Sequence, residues 1–173
     1  MNIFFVDENP VVAAQSLCDK HQGKMLVESV QMMVSALRRH GATDADVPLT
    51  AKGTPHKGGY ANHPSTRWVG DSLSNFTWLF DHSVALADEF ALRFGKEHAC
   101  ARQLDAVRAS ACMVPDVPMT AVPLCVGDEL HAKYGTTAVL SEAVDIYREF
   151  YTIDKASFAK WLKGRPSPDW WNC

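Results

Sequence analysis

No segment of the 173-residue chain stays apolar and uncharged for the roughly 18 residues that a membrane-spanning helix needs, and Met1–Asp7 lack the basic region and cleavage site of a secretory signal. A cytoplasmic protein without membrane contact is the expectation. Cysteine is sparse: the five residues Cys18, Cys100, Cys112, Cys125 and Cys173 are odd in number and never form Cys-x-x-Cys, so neither a disulfide framework nor a zinc ribbon is signalled, and reduced thiols are the default. GxSxG, P-loop and GxGxxG signatures are missing, which leaves the corresponding hydrolase, NTPase and dinucleotide chemistries without support, and no cofactor is expected. What is present is an ordinary globular composition, 47% apolar and 21% charged with a net charge of −3. That is enough for one compact domain spanning residues 1–173, and too acidic for a sequence-blind nucleic-acid coat.

Acid is also absent locally. No Asp or Glu lies between Asp46 and Asp71, whereas Lys52, Lys57 and Arg67 fall there with His56 and His63, so the stretch is net +3. Three cations suffice for one or two phosphates at an active-site mouth and are too few to grip a long duplex; a merely solvated basic loop is the other reading. Residues 42–63 carry Pro48, Gly53, Pro55, Gly58 and Gly59 without apolar periodicity and read as a long irregular loop of the kind that tends to be functional.

Elsewhere the periodicity is helical. Ile3–Val6 reads as an extended segment packed on helices. A long helix is predicted from Pro10, capped by Asn9, to His40–Gly41, with a kink or short break near His21–Gly23. A second is predicted from Pro64 to Phe94 with the stripe Val69, Leu73, Phe76, Phe80, Val84, Ala87, Ala91 and Phe94, stopped by Gly95. Shorter helices are predicted over Glu97–Ala109, around Leu140–Tyr151 and at Phe158–Leu162, before an aromatic tail over residues 164–173. The fold class is mostly α, a single multi-helix domain.

On the first helix, Ala14, Leu17, Cys18, His21, Met25, Glu28 and Met32 share one stripe. His21 and Glu28 are seven residues apart, about 20° short of two full turns. An acid and a histidine on an otherwise apolar face can sit partly desolvated, a setting that suits a carboxyl to proton transfer. Glu28 paired with Lys24 at the rim of the stripe, and His21 bonded in the core, are the bland counterparts. Gln31 lies within reach of Glu28. In Lys57-Gly58-Gly59-Tyr60-Ala61-Asn62-His63-Pro64-Ser65-Thr66-Arg67-Trp68, backbone and side-chain donors gather at a helix N-terminus, an arrangement that suits a phosphate. Tyr60 and Trp68 are candidates to stack on a base. His56 and His63 lack metal-ligand spacing, and no metal is expected.

These pieces carry a resemblance. Leu17-Cys18-Asp19-Lys20-His21 followed by Glu28 resembles the first long helix of the pyrimidine-dimer DNA glycosylases of the phage endonuclease V-like family, in which a Leu-x-Asp-x-His run precedes the catalytic glutamate by this spacing. A wider bacterial group is similar through Ala13-Ala14-Gln15-Ser16-Leu17, Lys24, Val27-Glu28-Ser29-Val30-Gln31, Gly59-Tyr60-Ala61-Asn62-His63-Pro64 and Trp68. Together the matches cover roughly residues 13–68, a little over a third of the chain.

The resemblance implies an endonuclease V-like helical fold acting on DNA at an N-glycosidic bond. In that family a free N-terminal amine attacks the sugar C1′, displaces the base and forms an imine, while the glutamate on the first helix assists proton transfer; here Glu28 takes that role, and, with Asn2 large enough to keep Met1 in place, either Met1 supplies the amine or Glu28 activates a water and no lyase step follows. α-Amines titrate close enough to neutrality to be partly nucleophilic. The implied assignment is Glu28, His21 and Met1 as catalytic, with Lys24, Gln31, Lys57, Tyr60, Asn62, His63, Arg67 and Trp68 holding phosphate or base. Val27 and Gln31 stand where the family has arginines, which points to an unusual or modified base, in a phage or a bacterium. The alternatives are DNA-base modification or nucleoside processing on the same scaffold, and a non-catalytic helical binding module.

Overall fold

The computed structural model describes residues 1–171; Asn172 and Cys173, the end of the aromatic tail, lie outside the described residues. Seven α-helices form the body: α1 (Pro10–Ser16), α2 (Asp19–Arg39), α3 (Pro64–Asp71), α4 (Leu73–Phe94), α5 (Leu104–Ala109), α6 (Asp128–Tyr134) and α7 (Leu140–Asp154). Two two-residue strands, β1 (Val122–Pro123) and β2 (Thr137–Ala138), pair antiparallel with Val122 opposite Ala138. α2 packs along α4 and α3, and α1 crosses α4. None of the described helices is long and apolar enough to cross a membrane.

The mostly helical class holds, and several boundaries move. Asn9 starts α1 as expected, its Oδ1 accepting from the Val11 and Val12 amides. The break in the first helix falls at Leu17–Cys18, which are extended, rather than at His21–Gly23. Side chains take the carbonyls it frees, one from the next helix turn and two from far along the chain. Gln22 Nε2 donates to the Ala14 and Leu17 carbonyls, Arg93 to those of Gln15 and Leu17, and Trp161 Nε1 to that of Ser16. Gly23 stays helical. A Cβ there would lie 3.1 Å from the Phe90 ring, so its smallness serves the close approach of α2 and α4.

The predicted Pro64–Phe94 helix is likewise two. Ser72 is extended between α3 and α4, and its hydroxyl accepts from the Asn75 amide, capping α4. Beyond Phe80 the buried face of α4 runs through His82, Leu86, Glu89 and Arg93, while Val84 and Ala91 face outward. Glu89 and Arg93 are buried because they satisfy one another: Arg93 reaches Glu89 at 2.8 Å and Asp19 at 3.0 Å, and Arg165 closes on Glu89 at 2.8 Å. The arginines and their hydrogen bonds hold the Glu89 carboxyl below its ordinary value against burial, which pushes the other way.

Gly41 and Gly95 end α2 and α4 at positive φ, where glycine has no steric cost. The Glu97–Ala109 helix contracts to α5 behind a 3-10 turn at Ala101–Gln103. Phe158–Leu162 forms no helix, since its backbone is spent on the α1–α2 break: the Lys160 carbonyl accepts from the Asp19 amide and the Leu162 amide donates to Asp19 Oδ2. Trp161, Trp170 and Trp171 gather around Tyr151.

The segment Ile3–Val6 runs through the middle of the core, with Phe4 stacked on His21 and Phe5 set against Trp68, Trp78 and Tyr147. Its burial fixes where the chain's first residues emerge. Asn2 is clamped there: its amide group donates to the Cys125 carbonyl at 2.8 Å and its Oδ1 accepts from Tyr147 at 3.2 Å.

Candidate active site

Glu28 stands at the rim of the α2 stripe, with its side chain 13% exposed. Two of its neighbours come from the clamped N-terminal segment. The Asn2 amide donates to Glu28 Oε2 at 2.9 Å, and the Met1 amine nitrogen lies 3.8 Å from that same oxygen. The third neighbour is Lys24, one turn back, whose Nζ sits 3.4 Å from Oε1. The carboxylate is therefore both the rim residue paired with Lys24 and the group that faces the chain's first nitrogen. The Met1 side chain is buried, with its sulfur accepting from Thr66 Oγ1.

His63 joins this group from the other side. It caps α3, with Nδ1 accepting from the Ser65 amide at 3.2 Å, so the neutral ring carries its proton on Nε2. Burial lowers the His63 pKa, the N-terminal ammonium lowers it further, and Glu28 opposes them. Amine, carboxylate and imidazole thus feel each other's charge although they come from the N-terminus, α2 and the basic loop.

The loop is pinned to α2 just beyond Glu28. The Ser35 hydroxyl donates to the Gly59 carbonyl at 3.0 Å and accepts from the Gly59 amide at 2.8 Å. Gly58 has φ +75°, and a Cβ on it would meet Ser35 Oγ at 2.3 Å, so only glycine fits there. Gly59 rests over Gln31. Ser35 lies seven residues after Glu28, on nearly the same face and about 10 Å along the axis. Tyr60 follows with φ 53° and 69% exposure, a conformation that an aromatic residue rarely adopts.

A cavity of about 360 Å³ opens between the end of α2 and the start of α3, lined by Ser35, Arg38, Arg39, Lys57, Asn62 and Arg67 among others. Thr66 also lines it and touches Met1, so the cavity adjoins the carboxylate group. Arg38 is spent on Asp44 and on the Ala42 and His56 carbonyls. Arg39 pairs with Asp71 at 2.9 Å. Lys57 and Arg67 have no carboxylate partner among the described ion pairs.

Of the residues singled out in the sequence, the structure brings Glu28, Met1, Lys24 and His63 together, with Gln31, Asn62, Lys57 and Arg67 along the adjoining surface. Two are placed elsewhere. His21 is 3% exposed, its Nδ1 sharing a 2.6 Å hydrogen bond with Tyr151, and burial lowers its pKa to about 3, aided by Lys24, Lys155 and Lys20. That is the core reading of His21 rather than a substrate contact. Trp68 is 2% exposed, with Nε1 donating to the Thr120 carbonyl, and offers no face to a base. The residues missed were Asn2, Ser35, Arg39 and Thr66; only Ser35, a heptad beyond Glu28, carried a sequence signal.

No curated protein and no solved structure matches the chain. The family model for pyrimidine dimer DNA glycosylase matches residues 1–102, which contain Glu28, His63, the basic loop and the N-terminal segment that reaches them. With that match covering well over half of its 173 residues, the chain belongs to the pyrimidine dimer DNA glycosylase family.

Proposed function

We propose that the protein cleaves the N-glycosidic bond of a damaged or modified pyrimidine in DNA, with the N-terminal amine as nucleophile and Glu28 as the acid–base group. The observation that carries this reading is the 3.8 Å separation of the Met1 nitrogen from Glu28 Oε2. A carboxylate there accepts the proton that an ammonium must lose before it attacks. The amine's lone pair forms a bond to C1′ as the bond from C1′ to the base breaks, and the base leaves with the electron pair and takes up the proton that the attacking nitrogen sheds. Glu28, now protonated, gives its proton to the ring oxygen as the nitrogen lone pair opens the C1′–O bond, leaving a protonated imine between the protein and the sugar. The carboxylate then stabilises that cation electrostatically.

The other side chains position the substrate. Lys24 and the Nε2–H of His63 supply donors to sugar and phosphate oxygens, and Gln31, one turn beyond Glu28, offers its amide to the base edge. Tyr60, held outward, is the one aromatic of the basic loop free to stack. Family membership sets the test. A duplex carrying a single cyclobutane pyrimidine dimer is expected to lose a glycosidic bond at the dimer, read as strand scission after mild alkali. An intact strand with this lesion, and with a panel of modified pyrimidines, contradicts the proposal.

A further inference from the structure

The cavity at the end of α2 is not needed for the chemistry above, and its walls have a chemistry of their own. Four cations line it, Arg38, Arg39, Lys57 and Arg67, and the Asp44 and Asp71 carboxylates pair with only the first two. Asn62 adds an amide donor. The start of α3, an eight-residue helix capped by His63, lies alongside and contributes the positive end of its dipole. No aromatic ring lines the space, so it suits a compact anion better than a base.

We infer that this cavity is a phosphodiester-binding pocket for a nucleotide about three steps along the strand from the one whose glycosidic bond faces Glu28, held by Arg39, Lys57, Arg67 and Asn62. The inference rests on the glycosylase reading for its substrate and adds a register to it. Ser35, in the pocket wall, lies about 10 Å along α2 from Glu28. With the strand laid along α2, as this inference takes it, an advance of about 3.4 Å per nucleotide sets the pocket about three nucleotides away. A free mononucleotide with its C1′ against Glu28 has its phosphate within one such step and falls short. Arg39 is poised rather than free, since Asp71 holds its guanidinium at the cavity edge, where a phosphate can share its remaining N–H groups. Gly70 makes room for it: a Cβ there would lie 2.6 Å from an Arg39 terminal nitrogen.

The test is a methylphosphonate scan of a lesion-bearing duplex, in which one charged phosphate at a time is made neutral. Wild-type protein is expected to lose about tenfold in affinity when the neutral group is about three nucleotides from the lesion on one side only. The Lys57→Gln/Arg67→Gln variant changes two exposed side chains that have no ion-pair partner among the described residues, and its melting curve is the check on folding. It is expected to bind unmodified DNA about tenfold more weakly, to flatten the salt dependence by about 1 in slope, the share of one phosphate, and to be indifferent to that same methylphosphonate. Equal sensitivity in both proteins, or a flat scan in wild type, overturns the pocket. So does thymidine 5′-monophosphate competing as well as the oligonucleotide, because a terminal phosphate then suffices. Base release by wild type alongside a flat scan removes the pocket alone, whereas a positive scan with Glu28→Gln and no base release by wild type removes the glycosylase reading alone.

Discussion

Replacing Glu28 by Gln is expected to slow base release by at least about a thousandfold, within the range that a positioned acid–base group supplies, while the melting temperature stays within a few degrees. The substitution keeps shape and hydrogen-bonding capacity. Gln Oε1 can still accept from the Asn2 amide that now donates to Glu28 Oε2, so the N-terminal segment keeps its anchor. What disappears is the charge. Its pairing with the exposed Lys24 is worth under about 1 kcal/mol to stability, whereas without a proton acceptor beside the amine and a counter-charge for the imine the reaction loses both of its supports. Binding to lesion DNA should be unchanged or tighter, because a carboxylate facing an anionic ligand is removed. The decisive comparison is single-turnover base release against binding in the same buffer. Undiminished turnover in Glu28→Gln contradicts the assignment, and a parallel loss of both release and melting temperature makes Glu28 a structural residue.

The second large effect concerns acid. His82 is 1% exposed, stacked on Trp78, and neither ring nitrogen has a hydrogen-bond partner. Burial lowers its pKa to about 3, and His21 is lowered to about 3 as well, again chiefly by burial. A histidine whose folded pKa lies below its unfolded value near 6.5 contributes stability that is fully present above pH 6.5 and lost as pH falls toward 3. Between pH 7 and pH 5 each of the two costs about 2 kcal/mol, or about 4 kcal/mol together, out of the 5–15 kcal/mol typical of a domain. Burial also lowers His56, His63 and His98, with the same sign. Urea unfolding at the two pH values measures the loss, and His82→Phe is expected to remove about half of it. A midpoint that does not move between pH 7 and pH 5 contradicts the buried neutral state of both rings.

How far the sequence reached follows from how local each signal was. Asn9 before Pro10, Gly41, Gly95 and His63–Pro64 act within a turn of where they stand, and the structure puts helix ends at all four. The Ser72 break is local too, a capping serine three residues before Asn75, but the apolar stripe running through it hid the signal. The break at Leu17–Cys18 has no local cause. It exists because Arg93, Trp161 and Tyr151, all more than 70 residues downstream, take the hydrogen-bonding groups it frees. The same long-range pairing keeps Phe158–Leu162 from becoming a helix and buries Glu89 and Arg93 on a face that composition assigns to solvent. The site divides in the same way. Glu28, Lys24 and His63 stood out as polar residues in apolar or glycine-rich surroundings, whereas Asn2 is defined by Cys125 and Tyr147, and Arg39 by Asp71.

Everything chemical here depends on an amine at the start of the chain forming a bond to C1′ beside Glu28. Borohydride reduction during turnover, followed by mass mapping of the adduct, observes that bond itself. A covalent protein–DNA species is expected, located on the N-terminal residue and absent in Glu28→Gln. If Met1 is removed, the nitrogen of Asn2, already bonded to Glu28 Oε2, becomes the one that is labelled. Base release with no trapped species, or an adduct on Lys24 in place of the terminal amine, contradicts it.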